Sequence, residues 1–264
     1  MTIAYTTTHE WPETPSISKT LPFPADWDHF SLTLLMGELE RQMVATFANV
    51  RAQVQPVLDV DAALIQQTPA IFHQPQKHEL IGSMLFTRMF SGLRAAARLV
   101  FAGQQYEARA VLRSSLECGV YGWALTTDGK LREIWRARED SDEARQAARN
   151  ALTWGRLKTP LSAQSHLLGD KVTALYDDLI DLGAHPNPGG IIDGVFKTKD
   201  AAGNTQLMTM FGDCAPESIV AGLGELLRVT HAGFELLRLA MPERMEKSGV
   251  GQKVAAIFVA AGYA

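Results

Sequence analysis

The chain has 264 residues, of which 46% are hydrophobic and 20% charged, and its formal net charge is −4. This is the composition of an ordinary globular protein that is long enough to bury a substantial core. The small negative charge provides no general attraction to nucleic acid or to an acidic membrane surface. The chain has only two cysteines, Cys118 and Cys214, so we expect no disulfide framework and interpret Cys118 as a small buried hydrophobic residue.

The same composition bears on the compartment of the protein. No run of 18 apolar residues occurs, and residues 1–8 have neither the basic region nor the apolar core of a signal peptide. We therefore expect a cytoplasmic protein that neither spans nor binds a membrane.

The first 25 residues are rich in threonine and contain four prolines, so they predict an extended N-terminal arm rather than a helix. Residues 26–264 are predicted to form a single helical domain. Asp26 or Asp28 is the candidate N-cap of a first helix that runs to about Ala52. The following segment, residues 56–75, begins and ends with proline and is predicted to be irregular, with a short helix near residues 62–67.

Two long helices are predicted next, one from Glu79 to about Ala102 and one from Tyr106 to about Thr126. Only the short connection around Gly103 separates them, which predicts an antiparallel helical hairpin. Both helices carry small residues that allow a close approach: Gly82, Ser83, Ser91, Gly92, Ala95, Ala96, Ala97 and Gly119.

The C-terminal half continues this helical pattern. Further helices are predicted at residues 130–157, at residues 162–182 with Ser162 as N-cap and Gly183 as a left-handed C-terminal cap, at 216–240 and at 245–260. Apolar residues on both sides of a polar turn predict a small β-hairpin within residues 191–211. The predicted fold class is all-α, a multi-helix bundle of about seven helices with one small β-hairpin insertion.

The helix at residues 106–126 is the most informative part of the sequence because it carries two stripes. One stripe is apolar or small and predicts the packing face: Ala108, Leu112, Ser115, Leu116, Gly119 and Trp123. The second, which we call the polar stripe, consists of Arg109, Arg113, Glu117 and Tyr121 at intervals of four residues. A polar stripe beside a tightly packed face is partly desolvated, and its groups therefore need partners.

The polar stripe has two interpretations. In the structural one, Glu117 accepts hydrogen bonds from Arg113, or from Arg94 or Arg98 on the preceding helix. In the functional one, the arginines hold an anion or small ligand, and Glu117 or His185 acts as a general base.

His185 is a candidate because it follows Asp177 and Asp181 at intervals of four residues, the spacing of a helical metal site. Gly183 and Pro186 are expected to end the helix before His185, so we predict no bound metal. No phosphate-binding loop, dinucleotide fingerprint, nucleophile elbow or zinc motif occurs, and we predict no cofactor. The absence of such motifs also favours a protein that is not an enzyme.

The pattern Glu107-Ala108, Arg113-Ser114 and Glu117, followed later by a histidine-containing turn, resembles a group of uncharacterised bacterial all-helical proteins. The resemblance covers about a quarter of the chain, with His185 and Asn187 matching the turn. It implies a helical fold, and it implies that Arg113, Glu117 and His185 lie near one another.

Arginine is concentrated in one part of the chain. Residues 88–156 contain eleven of the sixteen arginines and carry twelve basic against eight acidic residues, a net charge of +4, whereas the remainder is −8. Such a segment is typical either of a basic face for an anion or RNA, or of solvated helices whose arginines pair with acidic neighbours.

Three functions follow from these patterns, in order of preference. The first is protein–protein interaction or self-association, for example as a homodimer, through small-residue and amphipathic helical faces. The second is binding of a small molecule or anion, or hydrolase-type catalysis, around Arg109, Arg113, Glu117, Tyr121 and His185. The third is nucleic-acid binding through residues 88–156, for which we hold the weakest expectation.

Overall fold

The structure, a computed structural model, describes residues 31–184, 195–199, 203–209 and 215–263. The predicted arm, residues 1–25, and the predicted N-cap residues Asp26 and Asp28 lie outside the described residues. The chain divides into two units, Met1–Arg41 and Gln42–Ala264. Residues 31–41 are the described part of the first unit and are helical.

The described residues are almost entirely helical and contain eleven α-helices. These are α1 (Ser31–Asn49), α2 (Arg51–Phe72), α3 (Leu80–Phe101), α4 (Gln105–Thr127), α5 (Gly129–Arg136), α6 (Asp142–Ala151), α7 (Trp154–Gln164), α8 (His166–Leu179), α9 (Pro216–Ala240), α10 (Pro242–Ser248) and α11 (Val250–Ala260). A 3₁₀ turn covers Ala137–Glu139, and a π-helical turn covers Ile180–Ala184.

The described residues also include two short extended segments, β1 (Val195–Lys199) and β2 (Thr205–Thr209). They pair antiparallel, with Val195 opposite Thr209 and Lys199 opposite Thr205. None of the described helices is long and apolar enough to cross a membrane.

The prediction of about seven helices is wrong because several predicted helices are divided. The helix expected at residues 130–157 is interrupted where Ser141 accepts a hydrogen bond from the Ala144 N–H and starts α6. The last helix is divided at Gly249, whose φ of 66° is left-handed and separates α10 from α11.

The start and end predicted for the next helix are also wrong. Ser165, not Ser162, caps α8 by accepting from the Leu168 N–H, and Ser162 lies inside α7. Gly183 is not a left-handed cap but belongs to the π-helical turn that follows α8.

The segment predicted to be irregular, residues 56–75, is mostly part of α2, with Pro56 and Pro69 inside the helix. An interior proline costs about 3 kcal/mol because a backbone hydrogen bond is lost. Core packing offsets this cost, since Val54 and Ile71 lie outside the two prolines in the sequence and both are fully buried.

The centre of the second unit is formed by α3, α4 and α9. The predicted packing face of α4 is confirmed, since Ala108, Leu112, Ser115, Leu116, Gly119 and Trp123 are all buried. The predicted hairpin is confirmed as well: Gly103, with φ 79°, ends the α3 turn, and α4 begins two residues later.

Close approach at glycines explains how these helices fit together. An added Cβ at Gly119 would lie 2.7 Å from the Met89 sulfur, and one at Gly233 would lie 2.6 Å from the same atom. Met89 of α3 therefore fills a space that only glycines on α4 and α9 leave open.

Candidate functional site

The polar stripe lies along α4 next to the buried packing face, as the periodicity predicts. Arg109 faces α9 and the π-helical turn. Its Nε donates to Oε2 of Glu225 at 3.1 Å, and its Nη1 donates to the Leu182 carbonyl at 2.9 Å. The side chains of Arg109 and Glu225 are only 17% and 9% exposed, so this ion pair is largely desolvated. Arg109 thus links three segments of the fold.

Gly183 permits this contact because it brings the π-helical turn against α4. A Cβ on Gly183 would lie 2.9 Å from the Cβ of Arg109 and 3.0 Å from the Tyr106 carbonyl oxygen. The glycine is therefore required by close packing.

One turn further along α4, Arg113 and Glu117 form a hydrogen-bonded network with Tyr176 of α8. Arg113 Nε donates to Glu117 Oε1 at 3.2 Å, and Arg113 Nη2 donates to the Tyr176 hydroxyl at 3.3 Å. The Tyr176 hydroxyl donates to the same Glu117 oxygen at 3.1 Å. The Trp154 ring lies 5.6 Å from the Tyr176 ring and packs against it.

Burial and hydrogen bonding shift the pKa values of three side chains at this site. Burial opposes the charge of Arg113, but its hydrogen bonds to Tyr176 and Glu117 and the negative charge of Glu117 outweigh burial and raise the pKa of Arg113. Burial raises the pKa of Tyr176, against the opposing effect of the Arg113 hydrogen bond. Burial, followed by the charge of Glu117, also raises the pKa of Tyr121. Both phenols are therefore weaker acids than a free tyrosine side chain.

The structural interpretation of the stripe named three donors for Glu117, and the structure supports one of them. Arg113 donates to Glu117, whereas Arg94 forms a two-bond ion pair with Asp61 at 2.7 and 3.1 Å. Tyr176 was not anticipated, because it comes from a helix about 60 residues later and no local pattern connects it with α4.

His185 and Asn187, the proposed turn of the site, lie outside the described residues. The predicted proximity of His185 to Arg113 and Glu117 stays a prediction, as does its role as a base. Asp177 and Asp181 belong to the described part of the chain, where no group of three or more potential metal ligands comes together.

A second candidate site, which the sequence did not indicate, is a cavity of about 290 Å³ between α2, α3 and α9. Its wall is mostly apolar: Met43, Val57, Leu58, Val60, Leu64, Ile65, Phe90, Leu93, Ala97, Phe101, Leu226 and Leu227. Four polar residues complete the lining: Asp61, Arg94, Arg98 and Thr230. The Thr230 hydroxyl donates to the Leu226 carbonyl of its own helix at 2.7 Å, so it adds little polarity to the wall.

The sequence did not predict this cavity because six of its sixteen lining residues belong to α2. The prolines of that segment suppressed the prediction of a helix, and the apolar residues between them were not assigned to a face.

The arginine-rich segment, residues 88–156, is largely engaged within the protein. Within the described part of the chain, ion pairs are formed by Arg94, Arg109, Arg113, Arg136, Arg138 and Arg145. Arg132 donates through one nitrogen to the carbonyls of His78, Leu125 and Thr126. These contacts are those expected of solvated helices whose arginines pair with acidic neighbours.

No known protein family, curated protein or solved structure matches the chain.

Proposed function

We propose that the protein binds a small amphipathic anion, with the apolar part of the ligand in the cavity between α2, α3 and α9. The observation that carries the proposal is the cavity itself. Its volume of about 290 Å³ lies at the lower limit of the range of roughly 300–1,000 Å³ that is typical of small-molecule sites. Apolar walls with a few polar groups at one side are typical of such sites.

The guanidinium groups of the cavity lining support an anionic head group. Arg94 forms a bidentate pair with Asp61, and Arg98 places a second guanidinium in the same lining. Arginine suits a carboxylate or phosphate because its planar nitrogens donate two parallel hydrogen bonds.

This proposal moves the small-molecule hypothesis away from the polar stripe. Arg109 bonds to Glu225 and Leu182, and Arg113 and Glu117 bond to each other and to Tyr176. An anion at the stripe would have to compete with these contacts.

The test uses octanoate, octanol and octylamine, which share one chain and differ in the charge of the head group. We expect calorimetric titration of the full chain to give the tightest binding for octanoate, weaker binding for octanol and none for octylamine. A charged hydrogen bond contributes about 1.5–3 kcal/mol, so Arg98→Gln should weaken octanoate binding about tenfold or more and leave octanol binding unchanged.

Two variants control this experiment. Ala97→Phe fills the cavity and should abolish binding of both octanoate and octanol, while Arg136→Gln removes an exposed arginine far along the chain and should change neither. Equal affinity for octanoate and octylamine, or undiminished binding by Ala97→Phe, would contradict the proposal.

A second candidate function, self-association, is supported by the apolar surface of α1. Leu32 is 66% exposed in the first unit, and Val44 and Phe47 are 71% and 42% exposed in the second. Burying such side chains against a second copy of the chain contributes roughly 25 cal/mol per Å² of apolar surface.

Sedimentation equilibrium of the full chain tests this second function. We expect a dimer that dissociates in Val44→Glu and persists in Leu167→Glu, a matched change at an apolar residue of α8 that is 81% exposed. A monomer at all concentrations, or equal effects of the two variants, would contradict self-association through α1.

A further inference from the structure

Lys171 of α8 and His231 of α9 form a pair, and neither residue lines the cavity, although His231 follows the lining residue Thr230 in the chain. The Nζ of Lys171 lies 2.7 Å from the Nδ1 of His231, and both side chains are partly buried. The ring of Phe258 from α11 lies 4.4 Å from the imidazole ring and covers it with an apolar surface. The pair is therefore fixed by three helices.

The partner of Lys171 is unusual for a lysine. Across the described ranges of the chain, no carboxylate comes within ion-pair distance of its ammonium group, and its hydrogen bond goes to an imidazole. The acid on the same face, Glu235, is held by Arg238 at 2.7 Å. By contrast, the exposed Lys247 has the carboxylate of Glu243 3.8 Å away.

The charges of the pair follow from this setting. Burial lowers the pKa of Lys171, against a weaker opposing effect of Glu235. Burial and then the Lys171 charge lower the pKa of His231, again against Glu235. The imidazole is therefore neutral at pH 7, its Nδ1 accepts from Lys171, and its remaining proton is on Nε2.

We propose that Lys171 is a nucleophilic amine with His231 as its proton acceptor, and that the pair is a site of covalent imine formation with small carbonyl compounds. The proposal rests on the contact between Nζ and Nδ1 and on the apolar cover of Phe258, and it is independent of the function proposed for the cavity.

Imine formation requires only Lys171, His231 and the carbonyl compound, with no oxidant or reductant. His231 Nδ1 accepts one proton from the Lys171 ammonium, and the nitrogen lone pair then attacks the carbonyl carbon while the C–O π electrons move to oxygen. The remaining protons of Nζ and the one held by His231 pass to that oxygen and to solvent. Water leaves, and a carbon–nitrogen double bond to Lys171 remains.

The experiment treats the full chain with limiting propanal and sodium cyanoborohydride, which reduces the imine to a stable secondary amine, and maps the label by peptide mass spectrometry. At pH 7 we expect Lys171 to be labelled severalfold more than Lys158, Lys247 or Lys253, because burial lowers the pKa of its ammonium group and His231 accepts its proton. Equal labelling of all four lysines would overturn the proposal.

Two variants distinguish proton transfer to His231 from simple access of the reagent to Lys171. In His231→Gln the new amide side chain still accepts a hydrogen bond but does not accept a proton, so labelling of Lys171 should fall although its burial is retained. Lys158→Arg, a change at an exposed residue, should leave labelling of Lys171 unaltered. Undiminished labelling of Lys171 in a folded His231→Gln protein would overturn the role of His231.

The wild-type chain provides a readout that needs no variant. The yield at each lysine, measured as a function of pH, should reach half its maximum at lower pH for Lys171 than for Lys247. Coincident profiles would overturn the proposal even if His231→Gln fails to fold.

Discussion

The guanidinium of Arg244 in α10 forms hydrogen bonds with the carboxylate of Glu79, which lies 165 positions earlier in the chain and immediately before α3. Its Nη2 donates to Glu79 Oε2 at 2.7 Å, and its Nε lies 3.1 and 3.0 Å from the two carboxylate oxygens. The same guanidinium donates to the carbonyls of Ile71, His73 and Gln74, which end α2 and lead away from it. One side chain thus joins the C-terminal helices to the connection between α2 and α3.

Removal of this guanidinium should be strongly destabilising. The side chains of Arg244 and Glu79 are 19% and 11% exposed, and stranding a buried charge costs about 3–5 kcal/mol. We expect Arg244→Leu to lower the free energy of unfolding by this amount in urea denaturation. The matched change Arg238→Leu breaks a pair with Glu235 in which the arginine is 55% exposed, and it should cost less than about 1 kcal/mol. Equal losses would refute the special role of Arg244.

The contact also makes stability depend on pH. Burial opposes ionisation of Glu79, but the hydrogen bonds from Arg244 and from the Gln76 N–H lower its pKa in the folded state. A carboxyl whose folded pKa is depressed contributes stability above its unfolded pKa and loses that contribution as the pH falls through the folded value. We therefore expect Glu79→Gln to destabilise the protein at pH 7 and to match the wild type in acid. A destabilisation that stays the same throughout an acid titration would contradict this.

The close contacts of Met89 predict that substitutions at Gly119 and at Gly233 are each energetically coupled to the side chain of Met89. Gly119→Ala or Gly233→Ala would each drive a methyl group into the Met89 side chain, and overpacking of this kind costs about 1–3 kcal/mol. Shortening the side chain by Met89→Ala leaves room for the new methyl group. Each alanine substitution should therefore cost less in the Met89→Ala background, which double-mutant cycles of urea denaturation measure. Additive losses would show that the methyl groups are accommodated elsewhere.

The sequence predicted the elements that local signals determine and missed those that tertiary packing determines. The bounds of α9 follow from Pro216 at its start and from Met241-Pro242 at its end, and its structure has the predicted bounds. The polar stripe was predicted because α4 is regular. In contrast, α2 was missed because its prolines outweighed the apolar pattern, although core burial outweighs the prolines in the folded chain.

The candidate sites illustrate the same limit. Tyr176 completes the network of Arg113 and Glu117 from α8, and the cavity is enclosed by helices that are far apart in the sequence. Both depend on how helices pack against each other, which no spacing within one helix encodes.

The two arginines of the polar stripe should differ in their contribution to stability. Arg109 is 17% exposed and leaves a nearly buried Glu225 behind when it is removed, whereas the partner of Arg113, Glu117, is 37% exposed and also accepts from Tyr176. We expect Arg109→Ala to cost about 3–5 kcal/mol and Arg113→Ala about 1–2 kcal/mol, both measured by urea denaturation. A larger loss for Arg113→Ala would show that the Tyr176 network, and not the Arg109 contact with α9, anchors this face of α4.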